Sequence, residues 1–450
     1  MMGHVPYSKY AMSNATAVPQ LPSHWTSKRL RYVCSVNPSK SEISLPADAS
    51  VSFIPMDAVG EYGGISLDYE KPIDEIGTGY TYFVDDDVVI AKITPCFENG
   101  KGAIAKSLVN GVAFGTTELH VLRATSEIAP RFLFYISISD HFRKLGESEM
   151  YGAGGQKRVP ESFIKNFRAA IPPLPEQAVI CSFLDREIAR IDALVAKKER
   201  FLEFLEEERL AVITHAIVKG LNPSASTRNS GIEWLGQIPG HWQLKKIKYT
   251  VSNVVDCLHT TPNYDGELFY PAVRTADIER GRLLLDQVRL VSKEVYQERI
   301  ERLRPIEGDI LYSREGERFG LAALVPGGVE LCLGQRMMMF RSLPDMAPAY
   351  LMWALNSKAL YQQVVLYTGG ATSPHINISD IINFYIPCPP RDEQFRIADH
   401  ILAKCSKLDV VVNGLRAGIQ KLQVYRSALI TNAVTGKIDV PELERREAAA

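Results

Sequence analysis

One set of signals is written twice along this chain, and that duplication constrains the fold more than any other feature. LPSHWTSKRLRY, Leu21–Tyr32, is followed 217 residues later by IPGHWQLKKIKY, Ile238–Tyr249, so Pro22, His24 and Trp25 answer Pro239, His241 and Trp242. The same offset links Glu176-Gln177 to Glu393-Gln394. It returns where Arg209, Ala211, Ile213, Thr214 and Ala216 match Arg426, Ala428, Ile430, Thr431 and Ala433. Between these anchors agreement weakens: DDVVIAKI at 86–93 answers GDILYSRE at 308–315 with the offset drifted to 222. Equal offsets at both ends of a long unit predict duplicated architecture with divergent interiors.

Each unit opens with strand-like, turn-rich sequence. YTYFVDDDVVIAKI, GAIAKSL and GVAFGTTELHVLRA alternate β-branched and aromatic residues with Gly, Asn and Asp. APRFLFYISISDHFRKL and APAYLMWALNSKALYQQV each place Pro near a first turn and are predicted helices. Two α+β globular domains follow.

A long segment without Pro closes each unit, Glu176–Lys219 and Glu393–Gly436. Leu184, Ile188, Ile191, Val195, Lys198, Leu202, Leu205, Arg209, Val212 and Ala216 alternate steps of four and three. Ile401, Cys405, Leu408, Val412, Leu415, Ile419, Leu422, Arg426, Leu429 and Ala433 repeat that register. This is a coiled-coil seam in which Lys198, Arg209 and Arg426 alone break the apolar pattern. Arg186, Glu187, Arg190, Lys197, Glu199, Glu203 and Glu207 are predicted to be its solvated flank. Forty-four helical residues span roughly 66 Å at about 1.5 Å each, too long to bury against one small domain. The two helices are therefore expected to pack as an antiparallel coiled coil with pseudo-twofold symmetry, a rod acting as a ruler between two heads. Gly414 and Gly418 are expected to mark close approach or a bend.

Net charge is −1, so no global basic field exists to attract polyanions, although a local basic face is not excluded. Seven cysteines (34, 96, 181, 257, 332, 388, 405) are scattered without a C-x-x-C pair, which points to a reducing cytoplasm. No apolar run is long enough for a membrane span. The first twenty residues read as a loose lead-in and the last eight as a frayed tail.

A search for chemistry yields little. IPPLPEQ and CPPRDEQ lack the Asn or Asp lead and the following aromatic of an amino-methyltransferase loop. ENGKGA at 98–103 lacks P-loop spacing, and Gly152, Gly154 and Gly155 precede no strand–helix dinucleotide turn. Cys257 and His259 beside Asp256 are too few for structural zinc. His24 and His241 read as packing or turn residues, and Asp87 and Asp309 as turn residues entering strands. No catalytic residue, cofactor or metal is predicted.

Local basic clusters offer a different role. Lys28, Arg29 and Arg31 are repeated as Lys245, Lys246 and Lys248, and Lys92 as Arg314, with Arg318 and Arg336 nearby. Such cations grip phosphates, although a solvated helix face would carry them equally well. The turns before the proline-rich exits differ: Gln156, Lys157 and Arg158 in one, Thr372, Ser373 and His375 in the other. Lys, Arg and Gln suit guanine and adenine edges, and Ser or Thr supply smaller contacts.

Taken in order, the paired P-x-HW openings, IPPLPEQ and IPCPPRDEQ, the paired long helices and ALITNAVTGKI resemble the DNA-specificity subunits of type I restriction–modification systems across nearly the whole chain. The resemblance implies an N-terminal extension at 1–20, a target-recognition domain at 21–175, a spacer helix at 176–220 and a linker at 221–237. A second recognition domain at 238–391, a second spacer helix at 392–438 and a tail at 439–450 complete it. It implies a non-catalytic subunit that reads a bipartite double-stranded DNA target and docks two modification subunits, which use S-adenosylmethionine to methylate adenine N6. Restriction subunits would add ATP-driven translocation and cleavage. Glu176, Gln177, Ile191, Val195, Leu205, Arg209, Glu393, Gln394, Leu408, Val412, Leu422 and Arg426 would serve the spacer and subunit contacts. The first unit ends HAIVKGLN rather than with the TGKI of Thr435–Ile438, so its exit contacts would differ. A standalone DNA methyltransferase or nuclease, and a protein scaffold that binds no DNA, are the competing classes.

Overall fold

The computed structural model describes residues 5–77, 79–152, 155–316, 318–368 and 376–449. The chain divides into two compact units, Met1–Lys198 with Ala417–Ala450, and Glu199–Arg416. Both boundaries fall inside long helices, Leu174–Lys219 and Arg391–Val434.

In the first unit the strand-like runs form two four-stranded sheets. One orders its strands Cys34–Val36, Leu119–Ala124, Val88–Ala91 and Gly102–Ile104, all antiparallel. The other runs Glu70–Pro72, Ser50–Ile54, Val112–Gly115 and Thr81–Val84, with its middle pair parallel. The opening strand Thr26–Arg29 pairs antiparallel with the closing strand Arg168–Ile171, so the domain begins and ends at one place. Behind the sheets lie helices Pro130–Ile138 and Asp140–Ser148, the first started by its proline and the second capped by Ser139. The predicted single helix is thus broken at Ser139.

The second unit repeats this plan. Val251–Asp256, Met337–Ser342, Ile310–Ser313 and Ala322–Leu324 form the antiparallel sheet. Leu290–Val291, Tyr270–Val273 and Cys332–Leu333 form the other, again with a parallel pair. Gln243–Lys246 pairs with Tyr385–Cys388, and helices Pro348–Leu355 and Lys358–Thr368 follow the sheets. This is the two-domain α+β architecture expected.

Within each unit the long helices pack antiparallel, because the N-terminal half of one lies with the C-terminal half of the other. Every seam position named above is buried or half-buried, and most intervening positions are exposed. The seam's two arginines are explained by cross-helix pairs. Arg209 bonds Asp409 in the second unit, and Arg426 lies 3.4 Å from Asp192 in the first. Both arginines and both aspartates stand 217 residues apart. Glu187 departs from its predicted solvated flank: it is buried between Arg186 and Arg190. Gly414 has open space where a Cβ would stand, and a Cβ on Gly418 would stand 3.3 Å from the Lys198 amine. One continuous helix runs through both, so the missing Cβ admits a lysine tip rather than a close backbone.

The termini are more ordered than expected. Tyr10–Ala15 and Val18–Pro22 form an antiparallel hairpin, and Val440–Ala448 is a helix capped by Asp439, whose backbone N–H donates to the Val5 carbonyl. Tyr7, Val440 and Leu443 join the first unit's core.

Candidate nucleic-acid interface

The repeated motifs are locks that build and orient the heads. Glu176 accepts hydrogen bonds from the Tyr7 hydroxyl at 2.6 Å, His24 Nε2 at 2.8 Å and Trp25 Nε1 at 3.1 Å. Glu393 accepts from His241 Nε2 at 2.8 Å and Trp242 Nε1 at 3.1 Å. Burial and the Glu176 carboxylate together drive the Tyr7 phenol pKa upward, so it stays a donor. The neighbouring glutamines are buried. Gln177 accepts from Ala129 N–H at 2.8 Å and donates to the Glu127 and Pro172 carbonyls. Gln394 accepts from Ala347 N–H at 2.7 Å and donates to those of Asp345 and Pro389. Each Glu-Gln pair thereby fastens a long helix to the opening strand and to the start of a head helix.

The opposite helix ends complete the locks. Thr431 Oγ1 accepts from Asp140 N–H at 3.1 Å in the first unit, and Thr214 Oγ1 accepts from Lys358 N–H at 3.0 Å in the second. Trp25 packs against Gly436 and Trp242 against Gly220, both at positive φ just past a helix end. Each head is thus gripped by the start of its own following helix and the end of the other. Neither tryptophan–glycine contact was anticipated, although Gly220 and Gly436 lie almost one repeat apart. Asp87 and Asp309 do serve the turns before strands: each accepts a backbone N–H three residues back, at 2.9 Å, and holds Arg123 or Arg341 in a two-pronged ion pair.

The basic opening clusters lie on strands followed by a short 3-10 turn, not on a helix. Lys28 bonds Glu127, Arg31 bonds Asn166, and Lys245 lies 3.4 Å from Asp345. Arg29 is half-buried. Lys246 and Lys248 sit over the Tyr385 and Tyr249 rings, 5.2 and 5.3 Å from their centroids. These cations are partly answered within the head, and each retains some exposure.

Of the remaining candidates that are described, Lys92 and Arg158 in the first head and Arg314 and Arg336 in the second stand by the ends of sheet strands. In the first, Lys92 follows the strand Val88–Ala91, and its backbone bonds both Glu118 and Val159. Arg158 holds Glu118 through two hydrogen bonds of 2.9 and 2.7 Å, which lowers the Glu118 pKa. The Thr94 hydroxyl fastens the neighbouring turn, donating to the Gly155 carbonyl and accepting from Lys157 N–H. This leaves the Gln156 and Lys157 side chains exposed. Buried His120 donates from Nε2 to the Val159 carbonyl at 3.0 Å and lies 3.2 Å from the Asn37 amide. In the second head Arg314 is buried against Asp256 at 3.1 Å and Glu315 at 3.4 Å, and so supports the surface from beneath. Arg336, at φ 64°, stands exposed beside Glu315. Arg318 donates to the Ala276 and Ile278 carbonyls. Thr372, Ser373 and His375 lie outside the described residues.

Among the described residues no three His, Cys, Asp or Glu side chains converge as a metal site, and no helix is long and apolar enough to cross a membrane. Burial pushes the Cys34, Cys181, Cys332 and Cys388 thiols up to about 12, so they are protonated packing groups.

Duplicated α+β heads, each locked to two antiparallel helices and each with its own polar residues at the strand ends, define a duplicated two-domain architecture. The model of the type I restriction modification DNA specificity domain matches residues 22–203 and 257–417, and the chain belongs to that family. The EcoEI specificity subunit of Escherichia coli is 38% identical over 200 residues, covering 43% of this chain and 33% of that protein. The EcoAI specificity subunit from the same species is 43% identical over 160 residues, 35% of this chain and 27% of that one. The chain's matches thus span about a third or less of those two relatives. The EcoKI specificity subunit of strain K12 is 22% identical over 365 residues, 78% and 75% of the two chains. A solved chain from a study of assembly and conformational transition in the type I R-M system shares the fold. Its TM-score is 0.67 at 17% identity, covering 93% of this chain and 99% of that one.

Proposed function

We propose that this chain is the non-catalytic DNA-specificity subunit of a cytoplasmic type I restriction–modification complex. Its recognition domains, 21–175 and 238–391, each read one half of a bipartite double-stranded target. The spacer helices, 176–220 and 392–438, set the unread gap, with 221–237 as linker. Two modification subunits carrying S-adenosylmethionine dock along the helices and methylate adenine N6. Restriction subunits add ATP-driven translocation and cleavage. A base extruded towards a modification subunit needs no chemistry on this chain.

The observation that carries this reading is the pairing of equivalent locks with unlike sheet ends. Glu176 and Glu393 fasten the heads in the same way, while Arg158–Glu118 in one head stands where Arg314–Asp256 and Arg336 stand in the other. Two heads of one build with different polar lining suit two different DNA words.

The test is competitive binding of the complex, assembled with its modification subunits, to duplexes randomised at every position. Two separated specified words, one altered by substitutions in each head, are expected. Equal binding to all sequences would overturn the proposal.

A further inference from the structure

In the second unit an open cleft of about 340 Å³ lies between the helix pair and the turn at Glu279–Arg282. Five arginines line it: Arg209 and Arg416 from the two helices, and Arg280, Arg282 and Arg318 from the head. Glu206, Glu279 and Asp409 are the lining carboxylates. They answer Arg280, Arg282 and Arg209 respectively. Among the described residues Arg318 reaches only backbone carbonyls, which leave its charge in place. Exposed Arg416 meets no carboxylate among the described residues, and its counterpart one repeat earlier is Glu199.

The first unit has a cleft floored by the matching seam arginine, and it makes an internal control. That cleft, about 490 Å³, carries Glu61 and Glu98 against Arg143 and Arg426, so its charges balance. Both of its arginines are laid against the Tyr62 ring, at 5.0 and 4.3 Å. Among the described residues, divergence has therefore left two uncompensated guanidiniums in one of two corresponding places. A guanidinium fork pairs best with the oxygens of a phosphate or carboxylate, and cations in a concave, partly desolvated setting act more strongly than on open surface.

We propose that this cleft is an anion site that takes a phosphate group, with Arg318 and Arg416 as its binding residues and Arg209 and Arg280 as its positioned walls. Two sources supply that chemistry: a phosphodiester of the DNA backbone and a free phosphorylated ligand. The site goes beyond base reading, because phosphate contacts carry no sequence information.

The full chain, with and without the joint substitution Arg318→Gln and Arg416→Gln, is to be titrated with inorganic pyrophosphate by calorimetry. The assembled complex is to be titrated with duplex DNA over a salt series. Neither arginine is buried, so the variant is expected to keep its circular dichroism and melting curve, and the Arg→Lys pair to restore binding in part. A DNA source predicts that the slope of log affinity against log salt falls by about 0.9 for each lost phosphate, equally for all sequences. A free ligand predicts saturable pyrophosphate binding, lost in the variant, with an unchanged DNA slope. Unchanged pyrophosphate and DNA titrations would overturn the site. Loss of sequence preference would instead count against the heads, so the two failures are separable.

Discussion

Trp25 and Glu176, 151 residues apart, are joined by a 3.1 Å hydrogen bond from the indole N–H, and Trp242 and Glu393 repeat it at the same distance and separation. The relationship makes the paired motifs a mechanical device: a half-buried carboxylate at the start of a long helix collects donors from the turn just before the strand that opens its head. Removing it strands those donors, and a buried donor without a partner costs about 1–3 kcal/mol. Glu176→Ala is expected to destabilise the first unit by at least that much. Glu393→Ala should cost the second unit less, because it collects two donors rather than three. Hydrogen exchange resolved along the chain checks this, with faster exchange expected at 22–30 for the first variant and 239–247 for the second.

The cross-helix ion pairs should differ in strength. Arg209 is 9% exposed at its side chain and bonds Asp409, which is 45% exposed, directly, whereas Arg426, 17% exposed, stands 3.4 Å from an Asp192 that is 51% exposed. Double-mutant cycles to alanine are expected to give a coupling of about 1–2 kcal/mol for the first pair and below about 1 kcal/mol for the second. Equal couplings would mean that burial does not set the difference.

Deleting one heptad from both long helices should shorten each by about 10 Å at 1.5 Å per residue while preserving the seam register. The gap between the two DNA words is expected to contract, with the words themselves intact. A selection from randomised duplexes measures both, and an unchanged gap would remove the spacer role.

Lys157→Ala is expected to alter base preference in one half-site, because its side chain is exposed on a turn fastened by Thr94. Lys28→Ala should weaken binding across all sequences and reduce its salt dependence. Lys28 is shared with Glu127, so its effect should be well below one full phosphate contact. Binding to duplexes substituted one position at a time separates these outcomes.

His120 gives the first unit a pH dependence. Burial, opposed by its bond to the Val159 carbonyl, holds it below its ordinary value of 6.5. The unfolded chain therefore takes up a proton first as pH falls, so stability is full above 6.5 and declines below it, down to the depressed folded value. Half-buried His141 is lowered likewise, with the Thr16 carbonyl opposing the burial. His120→Gln should flatten the decline, measured as unfolding midpoint against pH. A steeper decline would contradict the sign.

Much of the helical framework was legible because it is local. A seam of fours and threes is a property of neighbours one or two turns apart, and every named seam residue is sheltered in the structure. The strands were legible from β-branched runs such as Val88–Ala91. The head helices were found as well, but their break at Ser139 was not, because the serine that caps one helix by ending another looks polar in either role. The candidate interface was less legible. Arg314 and Arg336 look alike as letters, yet one is buried against Asp256 and the other exposed, since burial depends on which strand ends meet.

By itself the sequence determined that there are two units of one plan and that each ends in a long amphipathic helix, because periodicity and repetition are carried by the order of residues. Only the tertiary structure decided how the pieces are shared. Trp25 rests on Gly436 and Trp242 on Gly220, so each head is completed by the end of the helix that follows the other. A chain whose halves carry equivalent motifs offers the same contacts whether a head takes its own helix end or its twin's. The choice is settled by packing between residues up to hundreds of positions apart, which leaves no local trace.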